Sequence, residues 1–164
     1  MELKIALDMK AFEELLRKWP MTANKAQVSR VTEASVFMEG VIKQATPVGA
    51  GPIHLRDTIF HKIGAQGDGV WGMVATPAIY GEPVELGTRP HFPPVAPLQH
   101  WVEKKLGLSG KEAKSVAYLI ARAISKRGTP ARKMFTDNVT KHEAAVIRIL
   151  EQIPADIIRQ VQGN

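Results

Sequence analysis

The 164-residue chain has no cysteine. That excludes disulfide staples, thiolate nucleophiles and cysteine-held zinc, and it leaves the redox compartment open with a reducing cytoplasm favoured. No apolar run approaches the roughly 20 residues that a membrane span needs. The opening decapeptide, MELKIALDMK, lacks the basic head and unbroken apolar core of a signal peptide. Aromatic residues are scarce at 6% and do not interleave with the charges as on a stacking platform. The expectation is a soluble protein made and used in a cytoplasm, without contact with a membrane. Its length predicts one domain, 1–164, able to bury roughly 70% of its unfolded surface without staples.

Chemistry-bearing motifs are also missing. The five histidines, His54, His61, His91, His100 and His142, include no i, i+4 pair for a helical metal site. His91 and His100 flank a proline-rich segment with Glu85 nearby, but nothing in the sequence supplies a second shell. No serine lies in a Gly-x-Ser-x-Gly turn, and Glu82 and Glu85 sit where no spacing is fixed between them. The glycines of Val48–Pro52 are not followed by Lys-Ser/Thr, which rejects a phosphate loop. The chain is expected to be no enzyme and to carry no metal or cofactor.

What is present is a displaced charge. The formal net charge is +6, and residues 103–148 hold eleven Lys/Arg against four Asp/Glu. The remainder is nearly neutral. The cations Lys104, Lys105, Lys111, Lys114, Lys126, Arg127, Arg132 and Lys133 form a candidate basic face toward DNA or an acidic partner. A solvated helix face that happens to be basic explains them equally well.

Hydrophobic periodicity supplies the elements. Glu2–Leu7 alternates as a short strand, and Asp8 fits an N-cap for a helix through Phe12, Leu15, Leu16 and Trp19 that Pro20 stops. A longer helix over Thr22–Ala45 carries the stripe Val28, Val31, Ser35, Met38, Ile42 and Ala45. Leu55–Ile63, with a start near Thr58, and Val70–Thr76 flank the turn GAQGDG and make a hairpin. Val84–Leu86 adds a short third segment.

Tyr80–Leu98, with four of the eleven prolines between Pro90 and Pro97, separates the two patterns. It reads as an ordered connection, turned at Gly81 and Gly87. Pro97 then opens a helix whose inward face is Leu98, Trp101, Val102 and Leu106, ended by Gly107. Ser109–Glu112 has capping-box spacing before a helix with Ala113, Val116, Ala117, Leu119, Ile120, Ala123 and Ile124 as its apolar side and Gly128 as its C-cap. After an irregular link, a last helix from about Asp137 buries Val139, Val146, Ile149, Leu150 and Ile153, and Pro154 bends or restarts it. The expected fold is α+β, a small antiparallel sheet (hairpin plus N-terminal strand) against a long helix, with a helical C-terminal half. The sheet-forming half covers about 1–88, the proline-rich connection 89–97 and the helical half 98–164.

Glu85 and Arg89 lie on one ordered loop. They suit a contact between neighbouring subunits, or they are two solvent-facing charges of almost no energetic weight. Three fragments then carry a resemblance: TPVGAGPIHLRDTI at Thr46–Ile59, YGEPVELGTRPHFPPVAPLQHWV at Tyr80–Val102 and RGTPARKMF at Arg127–Phe135. Their order and spacing resemble head–tail joining and tail-completion proteins of long-tailed bacteriophages and prophages, also known as minor tail or minor capsid proteins. The matching positions are Thr46-Pro47, Leu55–Thr58, Tyr80, Val84–Thr88 and Pro93-Pro94, with a longer link before Leu55 than the simplest family pattern.

The resemblance implies a non-enzymatic virion protein, assembled into a ring of six at the neck, where capsid meets tail. Its implied partners are copies of itself, other neck, head-completion and tail-tube or terminator proteins, and non-specific contact with packaged DNA. Its implied places are the virion and, during assembly, the host cytoplasm. A ring needs a heterologous interface. Arg56, Tyr80, Glu85, Gly87, Thr88, Arg89, His91 and Phe92 are the candidate residues for it. The rival reading is a basic nucleic-acid-binding module, although no recognition helix stands out.

Overall fold

A computed structural model describes residues 9–49, 54–67 and 69–162, with side chains in the first helix from Trp19 onward. The chain is α+β, with a long first helix, a two-stranded antiparallel sheet and a helical C-terminal half. In order, the elements are α1 (Met9–Ala45), α2 (Leu55–Thr58), β1 (Phe60–Gln66), β2 (Gly69–Ala75), α3 (Gly81–Leu86), α4 (Val95–Leu106), α5 (Gly110–Arg127), α6 (Thr136–Leu150) and α7 (Ile153–Gln162). The strand expected over Glu2–Leu7 and the cap at Asp8 lie outside the described residues.

Contacts group the chain into two compact units built from separated stretches. One comprises the described parts of Met1–Phe37, Lys62–Met73 and Glu143–Asn164; the other comprises those of Met38–His61 and Val74–His142.

In the first unit, the hairpin lies directly on α1. A Cβ added at Gly72 would stand 2.1 Å from Ser35 Oγ and 3.0 Å from Val31 Cγ1, so a side chain is excluded where the strand crosses the helix. On the other face of the sheet, Trp71 lies over Gly64, whose missing Cβ would meet the indole at 2.3 Å. The last helix joins the same unit through charge. Arg30 Nε on α1 donates to Asp156 Oδ2 at 2.5 Å, and Arg159 Nη1 reaches Oδ1 at 3.2 Å. The Arg30 hydrogen bond, acting against desolvation, holds the Asp156 carboxyl below its ordinary pKa.

The second unit has its apolar centre between α4 and α5. Val102, Ala113 and Ala117 are fully buried, with Val95, Leu98, Leu108, Val116 and Ile120 packed around them. The alanines let the two helices approach closely. Burying Val102 contributes about 1.5–3 kcal/mol. Ile42, Ile59, Leu55 and Met134 are buried in this unit as well.

Several expectations need correction. Pro20 does not stop the first helix: α1 runs through it from Met9 to Ala45. Proline costs the bond to the carbonyl four residues back, but its own φ is helical, so the chain can continue. The buried stripe of α1 is shifted from the expected one, with Ala26, Ala34, Ser35 and Ile42 inside and Val28 and Ala45 outside. Val84–Leu86 is helix, not strand. Pro83 falls in the first turn of α3, where its absent N–H is not needed. Leu55–Thr58 is a helical turn, so the first strand begins at Phe60.

Ser109 takes the N-cap position of α5 but its side chain makes no capping bond. Leu119, Ala123 and Val139 face outward, and Ala121 is buried instead. Gly107 and Gly128 end their helices with positive φ as expected, and the Gly128 N–H closes on Ile124 O at 2.8 Å. Pro154 restarts the chain as the second residue of α7.

Candidate functional site

The three sequence fragments that are far apart in the chain meet at one node of the second unit. Val84–Thr88, at the end of α3, lies antiparallel to Gly128–Lys133, the link between α5 and α6. Thr88 N–H donates to Thr129 O at 3.0 Å, and Thr129 N–H returns to Thr88 O at 3.3 Å and to Thr88 Oγ1 at 3.0 Å. The two threonine hydroxyls share a hydrogen bond of 2.9 Å. Farther along, Arg132 N–H donates to Val84 O and Lys133 N–H to Glu85 O, both at 3.0 Å.

Such close backbone approach dictates the glycines. Gly87 (φ +74°) would place a Cβ 2.5 Å from Thr129 O, and Gly128 (φ +71°) one 1.8 Å from Thr88 O. Lys133, at φ +49°, is the single non-glycine residue with positive φ among the described residues. A left-handed lysine carries strain of about 1–2 kcal/mol, offset by the two bonds that hold it: its N–H to Glu85 and its carbonyl, which accepts from Asp137 N–H at 2.9 Å.

Glu85 anchors the node. Its Oε2 accepts from Phe135 N–H at 2.9 Å, and its Oε1 accepts from the amide and the hydroxyl of Thr136 at 2.9 and 2.8 Å. The carboxylate thus satisfies orphan amides at the start of α6 and faces the positive end of that helix. Burial pushes the carboxyl upward, but the hydrogen bonds from Phe135 and Thr136 outweigh it and leave the pKa below its ordinary value.

The Thr46–Ile59 fragment reaches the same node. Buried Thr46 bonds Ile42 O at 2.7 Å and lies 3.3 Å from Met134 Sδ. Leu55 Cδ1 would be 3.7 Å from a Cβ at Gly81, and Thr58 and Thr76 share a hydroxyl bond of 2.7 Å. Beside them, Glu39 takes hydrogen bonds from Lys43 and His61. The Lys43 bond is the larger cause of the lowered Glu39 pKa, followed by that of His61.

The candidate interface residues therefore divide. Glu85, Gly87 and Thr88 are engaged within the chain. Tyr80, Arg89, His91 and Phe92 are exposed, as is Arg56, whose Nε lies 3.7 Å from the carboxylate of its neighbour Asp57. His91 Nδ1 approaches the Arg89 carbonyl at 2.9 Å. Glu85 and Arg89 form no ion pair with each other among the described residues. Around this loop, Ile79 is 95% exposed and Leu86 64%, large apolar surfaces that nothing in the described chain covers.

The basic candidates also divide. Lys104 and Lys105 occupy the last turn of α4, where cations suit the helix dipole. Arg132 and Lys133 lie in the node's link, and Arg127 ends α5. Lys111, Lys114 and Lys126 share one exposed face of α5 with Arg122, which sequence reasoning passed over. Tyr118 occupies that face too, and Phe92 from the proline-rich loop packs on it with ring centroids 6.0 Å apart, tilted by 57°. The charges thus do have aromatic company. One ring comes from a separate segment, which a linear reading cannot see, whereas the i, i+4 spacing of Lys114, Tyr118 and Arg122 was available in the sequence.

No group of three or more His, Asp or Glu side chains is placed to hold a metal ion among the described residues. No described helix is long and apolar enough to cross a membrane. Compared with family models, curated proteins and solved structures, the chain finds no match.

Proposed function

We propose that this chain is a structural assembly protein of a long-tailed bacteriophage or prophage, a tail-completion or head–tail joining protein acting as a ring at the neck. The observation that carries the reading is the node. Thr46–Ile59, Tyr80–Val102 and Arg127–Phe135 were singled out as separate short motifs, and their residues bond one another. Thr46 meets Met134, Leu55 approaches Gly81, Thr88 pairs with Thr129 and Glu85 caps Thr136. In this chain the glycines, threonines and acid of those motifs each have a physical task in one junction, and this supports the reading.

Exposed apolar residues next to that junction support an assembling role. Ile79, Tyr80, Leu86 and Phe92 all lie within one short stretch around α3. In a ring, one patch meets a different patch of the next copy, and a loop fixed to a hydrogen-bonded node loses little entropy on docking. Since Glu85 holds the node together, the subunit contact falls to its exposed neighbours.

The test is removal and restoration in a phage carrying this gene. Loss of the protein should leave unjoined heads and tails, and the wild-type chain supplied in trans should restore particles. Ile79→Asp with Leu86→Asp should fail to restore them while its circular dichroism and melting match wild type. Particles that unite normally without the protein would end the proposal.

A further inference from the structure

We infer that the outer face of α5 is a binding surface for single-stranded nucleic acid, with Lys111, Lys114, Arg122 and Lys126 contacting phosphates and the Phe92–Tyr118 pair offering a ring for a base. At 100° per residue, these four cations and Tyr118 fall within about 120° of arc and run for about 22 Å along the helix. All are exposed. None of the cations makes an ion pair among the described residues. Glu112, the one acid of α5, falls outside that arc, about 40° beyond its edge. A side centred about 120° away holds the buried Ala113, Ala117 and Ala121 and seats the helix, leaving its cations on the outer surface.

Charge alone would suit any polyanion. The aromatic pair selects among them. Tyr118 stands one turn from Lys114 and one turn from Arg122, and both rings of the pair remain about half exposed (Phe92 53%, Tyr118 51%). A folded acidic protein gives such rings no flat partner, and a duplex keeps its bases stacked inside. An unpaired base has a free face, and cations flanking a ring are the recurring arrangement for a single strand. Ser115 and Ser125, also on this side, bond back to Lys111 O and Arg122 O at 2.9 and 2.8 Å and add no competing acceptor charge. This inference is independent of the neck-protein reading, since it needs no ring and no virion.

Fluorescence anisotropy of the full chain with a labelled oligo-dT of about twelve nucleotides tests it. Four phosphate contacts predict a log–log salt slope near −3, about a 50-fold loss of affinity between 50 and 200 mM salt. Lys114→Gln with Arg122→Gln should flatten that slope by roughly 1.4. Tyr118→Ala should cost about tenfold at an unchanged slope, and Tyr118→Phe should restore binding. Absence of binding at low salt would overturn the inference. So would equal affinity for a duplex of the same length, or displacement by polyglutamate, with Tyr118→Ala then without effect; these would assign the face to duplex backbone or to an acidic protein.

Discussion

Glu85 Oε1 accepts two hydrogen bonds from Thr136, one from the amide at 2.9 Å and one from the hydroxyl at 2.8 Å, across 51 positions of sequence. A capping residue ordinarily sits immediately before its helix. Here the cap for α6 comes from the end of α3, so the stability of the helix start depends on the node being closed. Glu85→Ala should lower stability by about 1–2 kcal/mol, and Glu85→Gln, which keeps an acceptor oxygen, by less. Urea unfolding measures both.

The charge of Glu85 makes that loss depend on pH. Its folded pKa is lowered, so the unfolded state binds protons more readily. The contribution is fully present above the ordinary carboxylate range of about 4.3 and disappears as pH falls through the folded value. The stability gap between wild type and Glu85→Gln should therefore be wide near neutrality and close in acid. A gap that stays constant over that range would mean that shape, not charge, is what Glu85 supplies.

Gly128 and Gly107 share a positive φ but differ in ψ (−161° against 11°) and in what surrounds them. Both have positive φ (+71° and +69°), but a Cβ at Gly128 would lie 1.8 Å from Thr88 O, and one at Gly107 would meet nothing within 4 Å. Gly107→Ala should cost only the left-handed penalty of about 1 kcal/mol. Gly128→Ala forces alanine into a backbone region that is essentially glycine's alone and also opens the Thr88–Thr129 bridge, together about 3 kcal/mol or more. Equal losses by thermal melting would show that neither the backbone region nor the bridge adds a cost at Gly128.

Local chemistry was readable in the sequence, and contact at a distance was not. The glycine stops at Gly107 and Gly128, the hairpin around GAQGDG and the buried Val102, Ala113 and Ala117 follow from spacing and turn preference, whereas Trp101, Leu106, Leu119 and Ala123, expected inward, are exposed. Two of the corrected segments, Pro20 within α1 and Pro83 within α3, come from treating proline as a barrier wherever it stands. Its effect depends on whether an N–H is needed at that turn. At the candidate site, Glu85 stands out in the sequence for its charge, but its partners within the chain do not. Neither its composition nor its spacing says that two amides 50 positions onward are unsatisfied. Asp156 carried a fainter signal, an acid between Ile153 and Ile157 on the apolar side of a helix, which burial permits only with a partner.

That partner is Arg30, and their pairing yields a further expectation. Arg30→Leu leaves Asp156 nearly buried beside Arg159 alone, so it should lower the melting temperature more than Arg159→Leu does. Because the Asp156 carboxyl is held low chiefly by the Arg30 hydrogen bond, wild-type stability from this pair is present above the ordinary aspartate range and lost as pH falls through the folded value. The Arg30→Leu variant should lack most of that acid dependence. Parallel melting profiles against pH would sink the assignment.

Where β2 crosses α1, the limiting atom is a single oxygen, and this makes a rescue experiment possible. Gly72→Ala would bring its methyl to 2.1 Å from Ser35 Oγ, which is fixed by donating to Val31 O at 2.7 Å. Forcing a methyl into that space should cost about 1–3 kcal/mol, even though alanine loses less backbone entropy than glycine on folding. Ser35→Ala removes the oxygen and, by itself, gives up only a back-bond to the helix that contributes little. Combined, the two substitutions leave the new methyl facing Val31 Cγ1 at 3.0 Å and Ile63 Cδ1 at 3.4 Å, contacts that a small rotation relieves. The double variant should therefore be more stable than Gly72→Ala alone, a non-additive result in urea unfolding. Additive losses would mean that the hairpin shifts on α1 as a body instead of meeting Ser35, and the close crossing would then not be what demands glycine at position 72.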